Sequence, residues 1–338
     1  MGDFLAMRRI WFNHWFSAAY NIISMAKENN PDFHIIGTNE NARSVLARVC
    51  DEWYQEPVLK GSDYVSFALD FCKAHKVDAF IPRREMLSIS KHKKDFESIG
   101  VKVMVEDYSI ADILNHKNRA YEYLIGKGVS SVPKYFTVTS VEQFEASYEA
   151  LKQEYKQVCI KFVHDEGGKS FRLIDNQRKG YTSLFKKQNT RMTFAAIREA
   201  LAERDSFSPL MVMPYLPDEE ISADCLMTEQ GLIMLPRVKD ASRVEKLVFN
   251  DTIVEKIEEI YDAVDLAWPC NIQLKYLDGK PYFLEVNTRM SGGVHMACLA
   301  GGVNIPDIAI NKLFGVNKNW SIDKTETYVS QVEIPVLL

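Results

Sequence analysis

Between residues 9 and 105, short β-rich runs alternate with amphipathic helical stretches, and this alternation constrains the fold more than any other feature. Arg9–Phe12, Phe33–Gly37, Asp78–Pro82 and Val101–Val105 read as strands, with helical patterns at 18–28 and 64–75 between them. Strands separated by helices pair in parallel, and a parallel sheet must be covered on both faces. Residues 1–112 are therefore expected to form an α/β domain around a parallel, doubly wound sheet. A dinucleotide site would place G-x-G-x-x-G after the first strand. The turn there is Asn13-His14-Trp15-Phe16-Ser17, without a glycine. That excludes a Rossmann dehydrogenase.

The chain has 338 residues, enough for two or three domains. Its 46% hydrophobic and 26% charged residues fit a folded globular protein. A net charge of −5 argues against a nucleic-acid coat or a membrane-surface protein, which needs a basic face. No apolar run approaches the ~20 residues of a membrane span, and the opening Met1–Arg9 lacks the order of a secretory signal. A cytoplasmic location follows as the expectation. Six cysteines without a C-x-x-C pair read as reduced, mostly buried thiols, and seven histidines without H-E-x-x-H give no transition-metal motif.

The pattern then changes. Ser109–Gly126 reads as one helix, 132–138 as extended chain and 141–155 as another helix. From Val158 onward strands predominate in hairpin-like pairs, so an α+β region of largely antiparallel structure is expected. The run Lys91-His92-Lys93-Lys94 reads as a solvated helix face.

Three segments carry candidate chemistry. In Cys270–Arg289 two alternating runs flank Asp278-Gly279, which reads as a hairpin. Alternation puts Asn271, Gln273 and Lys275 on one face of the first strand, and Phe283, Glu285 and Asn287 on one face of the second. A carboxylate and two carboxamides beside Arg289 suit Mg²⁺ on phosphate oxygens; a solvated sheet face fits the same alternation. In Val158–Leu173, Gly167-Gly168-Lys169-Ser170 offers backbone N–H groups to a phosphate. It is not a Walker A loop, because Val163 stands where that motif needs glycine, and a plain glycine turn fits equally. In Leu210–Asp224 an apolar strand runs into Pro214 and Pro217, expected to form a connector with free carbonyls. Such a connector suits an adenine edge, or a simple hinge.

In this order the three segments resemble the ATP-grasp superfamily, the fold of carbamoyl-phosphate synthase large subunits, biotin carboxylases and D-alanine–D-alanine ligase. The resemblance covers roughly residues 110–315 and rests most on Glu285-Val286-Asn287-x-Arg289-x-Ser291-Gly292-Gly293 after the Gln273 strand. The chain also resembles the subgroup encoded beside bacterial tellurium-resistance genes. The resemblance implies a pre-grasp domain at 1–112, a small subdomain at 113–215 and a large subdomain at 216–338. It implies that Lys117, Lys161 and the loop Gly167, Gly168, Lys169, Ser170 bind ATP phosphates. Pro214, Tyr215 and Leu216 then line the adenine, and Glu220 holds the ribose. Gln273, Glu285 and Asn287 match metal ligands, for Mg²⁺ or Mn²⁺ in its place, and Arg289 matches the arginine at the transferred phosphoryl group. Met213 departs from the family's usual hinge glutamate, Phe162 from the proline after the strand lysine, and Gln273 from the acid of the D-alanine ligase branch.

The implied activity is an ATP-dependent ligase that activates a carboxylate as an acyl phosphate and joins it to an amine. A small-molecule kinase and a non-catalytic nucleotide-binding regulator remain open. Expected partners are a carboxylate and an amine, with no nucleic acid and no membrane; a homodimer is compatible. Lys239 and Arg243, with an i, i+4 relation if helical, and Ser291, Gly292 and Gly293 are candidates for binding substrate; a surface salt bridge fits the two cations as well. The hairpin poses one conflict. A two-residue Asp278-Gly279 loop pairs Gln273 with Leu284, turning Gln273 and Glu285 to opposite faces. Shared metal ligation thus predicts an odd-length loop or a bulge.

Overall fold

The computed structural model describes residues 7–14, 16, 18–164, 168–177, 190–239 and 244–338. The chain divides into two compact units: Met1–Asp112 with Glu220–Gln273 and Val286–Leu338, and Ile113–Glu219 with Leu274–Glu285. We call them unit 1 and unit 2.

The first sheet of unit 1 has β1 (Arg8–Phe12), β2 (Phe33–Asn39), β3 (Glu52–Gln55), β4 (Ala79–Ile81) and β5 (Lys102–Val103) in the order β3-β2-β1-β4-β5. Every pair is parallel. Alternation along β1 explains the two-sided covering. Ile10 and Phe12 pack on Ala19, Ile22, Ile23 and Ala26 of the helix Ala19–Glu28. Trp11 faces the other way, among Tyr64, Ala68 and Phe71 of the helix Gly61–Ala74. Its ring stacks on Phe80 at a centroid distance of 3.9 Å. The sequence reading missed β3, which lies at the sheet edge and is only half-buried.

Unit 2 is built on β6 (Phe136–Val138), β7 (Val158–Phe162), β8 (Arg172–Ile174), β9 (Arg191–Met192) and β10 (Leu210–Pro214), ordered β6-β10-β7-β8-β9. All pairs are antiparallel except β8 with β9. The helices Val141–Lys152 and Phe194–Ala202 start on side-chain caps, Ser140 accepting from the Gln143 amide and Thr193 from the Ala196 amide. They bury Phe144, Tyr148, Leu151 and Ile197 against Val158, Ile160 and Val212. The expected single helix 109–126 is instead two, Tyr108–Leu114 and Lys117–Gly126. His116 takes extended backbone at φ −113°, ψ 109° and breaks it, aided by the weak helix former Asn115. Lys117 thereby stands at a helix start.

The last sheet runs β15-β14-β11-β12-β13-β16, from β11 (Glu220–Thr228), β12 (Gly231–Lys239), β13 (Val244–Leu247), β14 (Cys270–Leu277), β15 (Lys280–Asn287) and β16 (Thr327–Ser330). Unit 1 takes the Cys270–Gln273 and Val286–Asn287 ends of the last hairpin, and unit 2 its tip. Helices Val294–Gly301 and Ile305–Leu313 place Ala297, Cys298, Ile305 and Ala309 in the same core as Ile10, Ile22, Leu235 and Leu247. Within that junction the buried Asn30 donates to Asp307 at 2.8 Å and accepts from Asn311 at 3.0 Å. These contacts explain why residues 1–112 fold into one unit with the C-terminal sheet.

The loop between β14 and β15 is the two residues Asp278 and Gly279, at φ 50° and 75°. Two positive φ values make a type I′ turn, so the expected odd-length loop is not formed. The irregularity lies in the strand. Along β15 Pro281 and Phe283 are buried, but the next buried residue is Val286, not Glu285. Burial slips by one residue in phase at the point where the strand passes from unit 2 to unit 1. All six cysteines are free thiols, five of them buried, as expected.

Candidate functional site

In unit 2, Lys161 sits mid-way along β7 with only 7% of its surface exposed. A lysine so buried needs partners for its ammonium. Nζ lies 3.5 Å from the hydroxyl of Tyr121 and 5.4 Å from that ring's centroid. Tyr121 is fully buried and follows Lys117 by four residues on one helix, so both project from the same helical face. Its hydroxyl donates to the carbonyls of Leu284 at 3.2 Å or Phe283 at 3.3 Å, leaving lone pairs to accept from Lys161. Burial first, then the nearby Glu285 charge, pushes the phenol well above its ordinary range. The tyrosine stays neutral. His116 and His164 meet edge to face at 4.4 Å, and burial, His116 and Lys117 lower the His164 pKa. Sequence reading missed Tyr121, whose only signal is its spacing from Lys117.

Gly167 lies outside the described residues. Gly168 takes φ +67°, where a side chain is strained, and its carbonyl accepts from the Phe171 amide at 3.1 Å. Lys169 is exposed, while Ser170 Oγ accepts from the Phe162 amide at 2.9 Å and ties the turn back to β7. Pro214 is not in a free connector: it ends β10, in register with Val158, and its carbonyl receives the Cys159 thiol at 3.6 Å. A proline is tolerated there because the strand ends on it. Met213 is buried beside it, and the connector itself is Tyr215–Glu219. The Tyr215 amide donates to Gln157 O at 3.0 Å, Leu216 is buried, and Glu219 O accepts from Tyr276 at 3.0 Å.

In unit 1, a buried polar chain runs back from the hairpin. Gln273 Nε2 donates to Asn271 Oδ1 at 3.1 Å. Asn271, fully buried, donates from Nδ2 to Ser222 Oγ and Asp224 Oδ1, both at 3.0 Å. Asp224 accepts from Arg237 Nη2 at 2.7 Å. Arg237, 1% exposed, also pairs with Glu245 and donates to Ser291 Oγ at 3.2 Å. A Cβ on Gly293 would stand 2.4 Å from Arg237 Nη1, so glycine is what lets the guanidinium lie there. Gly292 is exposed beside it. Glu220 and Lys239 are register partners on β11 and β12, paired at 3.0 Å. Lys239 thus belongs to a strand, not a helix, because the stretch alternates with period two; Arg243 lies outside the described residues.

Asn287 and Arg289 close the hairpin. Arg289 Nη2 donates to Asn287 Oδ1 at 3.2 Å, and Nη1 to the Met290 carbonyl at 3.3 Å. Gln273 spends its amide nitrogen on Asn271, so Oε1 is the atom it has to offer. Gln273 and Asn287 belong to unit 1 and Glu285 to unit 2, and each of these candidate ligands offers oxygen, the donor of hard cations rather than of transition metals. Among the described residues no group of three His, Cys, Asp or Glu is placed to hold a metal, and no helix is long and apolar enough to cross a membrane.

Comparison with known proteins agrees with this layout. Residues 206–334 match the family described as ATP-grasp in the biosynthetic pathway with Ter operon. The chain is 20% identical over 303 residues to the carbamoyl phosphate synthase large chain of Pseudothermotoga lettingae, covering 84% of this chain and 25% of that one. It therefore spans about a quarter of the length of that curated relative. Among solved structures, the biotin carboxylase domain of Hydrogenobacter thermophilus 2-oxoglutarate carboxylase, in complex with MgADP, ADP and bicarbonate, matches with a TM-score of 0.66 at 17% identity, over 93% of this chain and 71% of that one. The L-amino acid ligase from Bacillus licheniformis matches with a TM-score of 0.65 at 13% identity, over 90% and 74%. With its parallel N-terminal sheet and its small antiparallel sheet the chain shares the fold of these solved structures, and within it residues 206–334, which include the Glu285-Val286-Asn287-x-Arg289 end of the hairpin, match the ATP-grasp family.

Proposed function

We propose that the chain is an ATP-dependent ligase that activates a carboxylate as an acyl phosphate and joins it to an amine or similar nucleophile. A carboxylate oxygen attacks the γ-phosphorus, the bond to the β–γ bridging oxygen breaks, and ADP leaves. The lone pair of the nucleophile then attacks the acyl carbon and expels phosphate, with loss of the proton from nitrogen. No protein nucleophile is needed, so the side chains act by positioning and electrostatics.

In this reading Lys117, Lys161 and the Gly167–Ser170 turn hold the phosphates. Pro214, Tyr215 and Leu216 line the adenine, and Glu220 meets the ribose. Gln273, Glu285 and Asn287 hold Mg²⁺, which when bound neutralises phosphate charge. Arg289 faces the transferred phosphoryl group, where a fixed guanidinium is worth most as charge shifts. Lys239 acts through Glu220, and Ser291 and Gly293 through Arg237. Residues 1–112, 113–215 and 216–338 then serve as pre-grasp domain, small subdomain and large subdomain, in a cytoplasmic enzyme acting on small molecules.

The observation that carries the reading is Arg289 held on Asn287 at 3.2 Å, at the end of a strand whose donors are all oxygens. The names of the carbamoyl phosphate synthase and L-amino acid ligase relatives support it. The test is ADP release from MgATP with pooled carboxylates, with and without hydroxylamine. An acyl phosphate yields a hydroxamate, visible by mass spectrometry. ADP formed with a stable phosphate ester and no hydroxamate makes the chain a kinase. No ATP-induced rise in melting temperature removes the nucleotide site altogether.

A further inference from the structure

Three neighbouring strands of unit 1 carry one line of polar side chains: Asn271 and Gln273 on β14, Ser222 and Asp224 on β11, and Arg237 on β12. Residues two apart on a strand share a face, and Arg237 stands in register with Ser222, so the line runs along one side of the sheet. Asn271, Ser222, Asp224 and Arg237 are each 1% exposed or less. At that depth a donor set against a donor, or an acceptor against an acceptor, is costly.

The line has a direction, set at its buried end by charge. A guanidinium only donates, and Arg237 Nη2 donates to Asp224 Oδ2 at 2.7 Å. A carboxylate only accepts, so the Asn271 atom 3.0 Å from Asp224 Oδ1 is the amide nitrogen. Ser222 does not decide the matter. Its Oγ lies 3.0 Å from Nδ2 and 3.3 Å from Oδ1 of Asn271, and a hydroxyl both gives and takes. With Nδ2 turned to Asp224, Asn271 Oδ1 faces Gln273 and accepts from its Nε2 at 3.1 Å. The Gln273 oxygen is thereby kept for another partner, and oxygen is what a hard cation takes. An amide nitrogen in its place has no lone pair to offer.

We propose that Asp224, held by Arg237, is a positioning residue: through Asn271 it fixes which atom Gln273 presents to the metal. This rests on the reading above that Gln273 holds Mg²⁺. It also accounts for glutamine at 273, where the D-alanine ligase branch has an acid. A glutamate there sets its carboxylate against Asn271 Oδ1, acceptor on acceptor, so the line favours an amide. Asp224→Asn reverses the order. The guanidinium keeps the oxygen of the new amide, because its hydrogen bonds are roughly twice as strong as neutral ones. The new nitrogen then faces Asn271, which turns over and presents Nδ2 to Gln273. Gln273 turns over in its turn, and its nitrogen replaces its oxygen at the metal. A glutamate at 273 has no nitrogen to misplace and accepts from the reversed Asn271. Gln273→Glu should therefore rescue Asp224→Asn.

The test is a double-variant cycle on the full chain with two readouts. One is calorimetric ATP affinity, with Mg²⁺ and with EDTA in its place. The other is solvent exchange of the Gln273 side-chain amide, identified by its loss in Gln273→Glu. In the wild type that amide should exchange slowly. Asp224→Asn should speed the exchange and weaken MgATP binding about tenfold or more, as loss of support behind a metal ligand does, with ATP affinity in EDTA unchanged. Adding Gln273→Glu to Asp224→Asn should return MgATP affinity to within about threefold of wild type. Fast exchange in the wild type, normal MgATP binding by Asp224→Asn, or a double variant as weak as its two single losses multiplied overturns the proposal. The first of these needs no variant, so it decides even where Asp224→Asn fails to fold. Absence of MgATP binding by the wild type defeats the nucleotide reading and the metal role with it, a result told apart from the others because the Gln273 amide stays slow.

Discussion

Nζ of Lys161 lies 3.5 Å from the hydroxyl of Tyr121, and both residues are buried. One comes from a strand and the other from a helix, yet the tyrosine sets where the lysine's charge is presented. Tyr121→Phe removes the acceptor and keeps the ring. A buried polar group losing its partner costs about 1–3 kcal/mol, so the melting temperature should fall by several degrees and the ATP-induced shift should shrink. An unchanged melting curve and unchanged ATP response would mean that other groups hold Lys161 in place. Lys161→Met should abolish the ATP shift more fully than Tyr121→Phe.

Arg289 donates to Asn287 and to the Met290 carbonyl, which fix its guanidinium at the end of the hairpin. Arg289→Ala should lower kcat by roughly two to four powers of ten, with ATP affinity much less affected, as removal of a preorganised donor does. Steady-state kinetics beside ATP binding separate the two, and near-normal turnover would move the phosphoryl site elsewhere.

Neighbouring glycines should behave oppositely. A Cβ at Gly293 meets Arg237 Nη1 at 2.4 Å, and that guanidinium is held by Asp224, Glu245 and Ser291. Gly293→Ala should cost about 1–3 kcal/mol as an overpacking change. At Gly292 nothing lies within 4 Å of the added carbon, and Gly292→Ala should stay within about 0.5 kcal/mol. Denaturant melts of the two variants decide it; equal costs would mean that Arg237 yields freely.

His14 gives a pH signature. Burial first, and then Arg83, lower its folded pKa to about 3, while an unfolded histidine titrates near about 6.5. Between these values the unfolded chain binds a proton that the folded chain refuses, so stability rises with pH across the window and falls on acidification. The stability difference between wild type and His14→Gln should change by roughly 1.4 kcal/mol per pH unit there, and level off on either side. A flat difference from pH 6 to 4 would show that the ring is protonated in the folded protein.

Much of this molecule is dictated locally. The two-residue period of Arg9–Phe12 against the helical period of 18–28 is enough for a parallel sheet covered on both faces, because side-chain direction follows backbone geometry residue by residue. The spacing Glu285-x-Asn287-x-Arg289 likewise gathers hard oxygen donors and a cation with no knowledge of the rest of the chain. Other features depend on residues far apart in sequence. Pro214 reads as a breaker but ends a strand, since Val158 on β7 pairs with it. Asp278-Gly279 does make the two-residue turn its sequence favours, while the phase shift appears six residues later, in how β15 is buried. Arg237 stands two residues before Lys239 in the sequence, yet its buried place is set by Asp224, Glu245 and Ser291. Tyr121 carries no local mark beyond its spacing from Lys117, and His14 carries none. Their roles come from burial, and burial is decided only when distant strands and helices close around a side chain and choose the partners of its polar atoms.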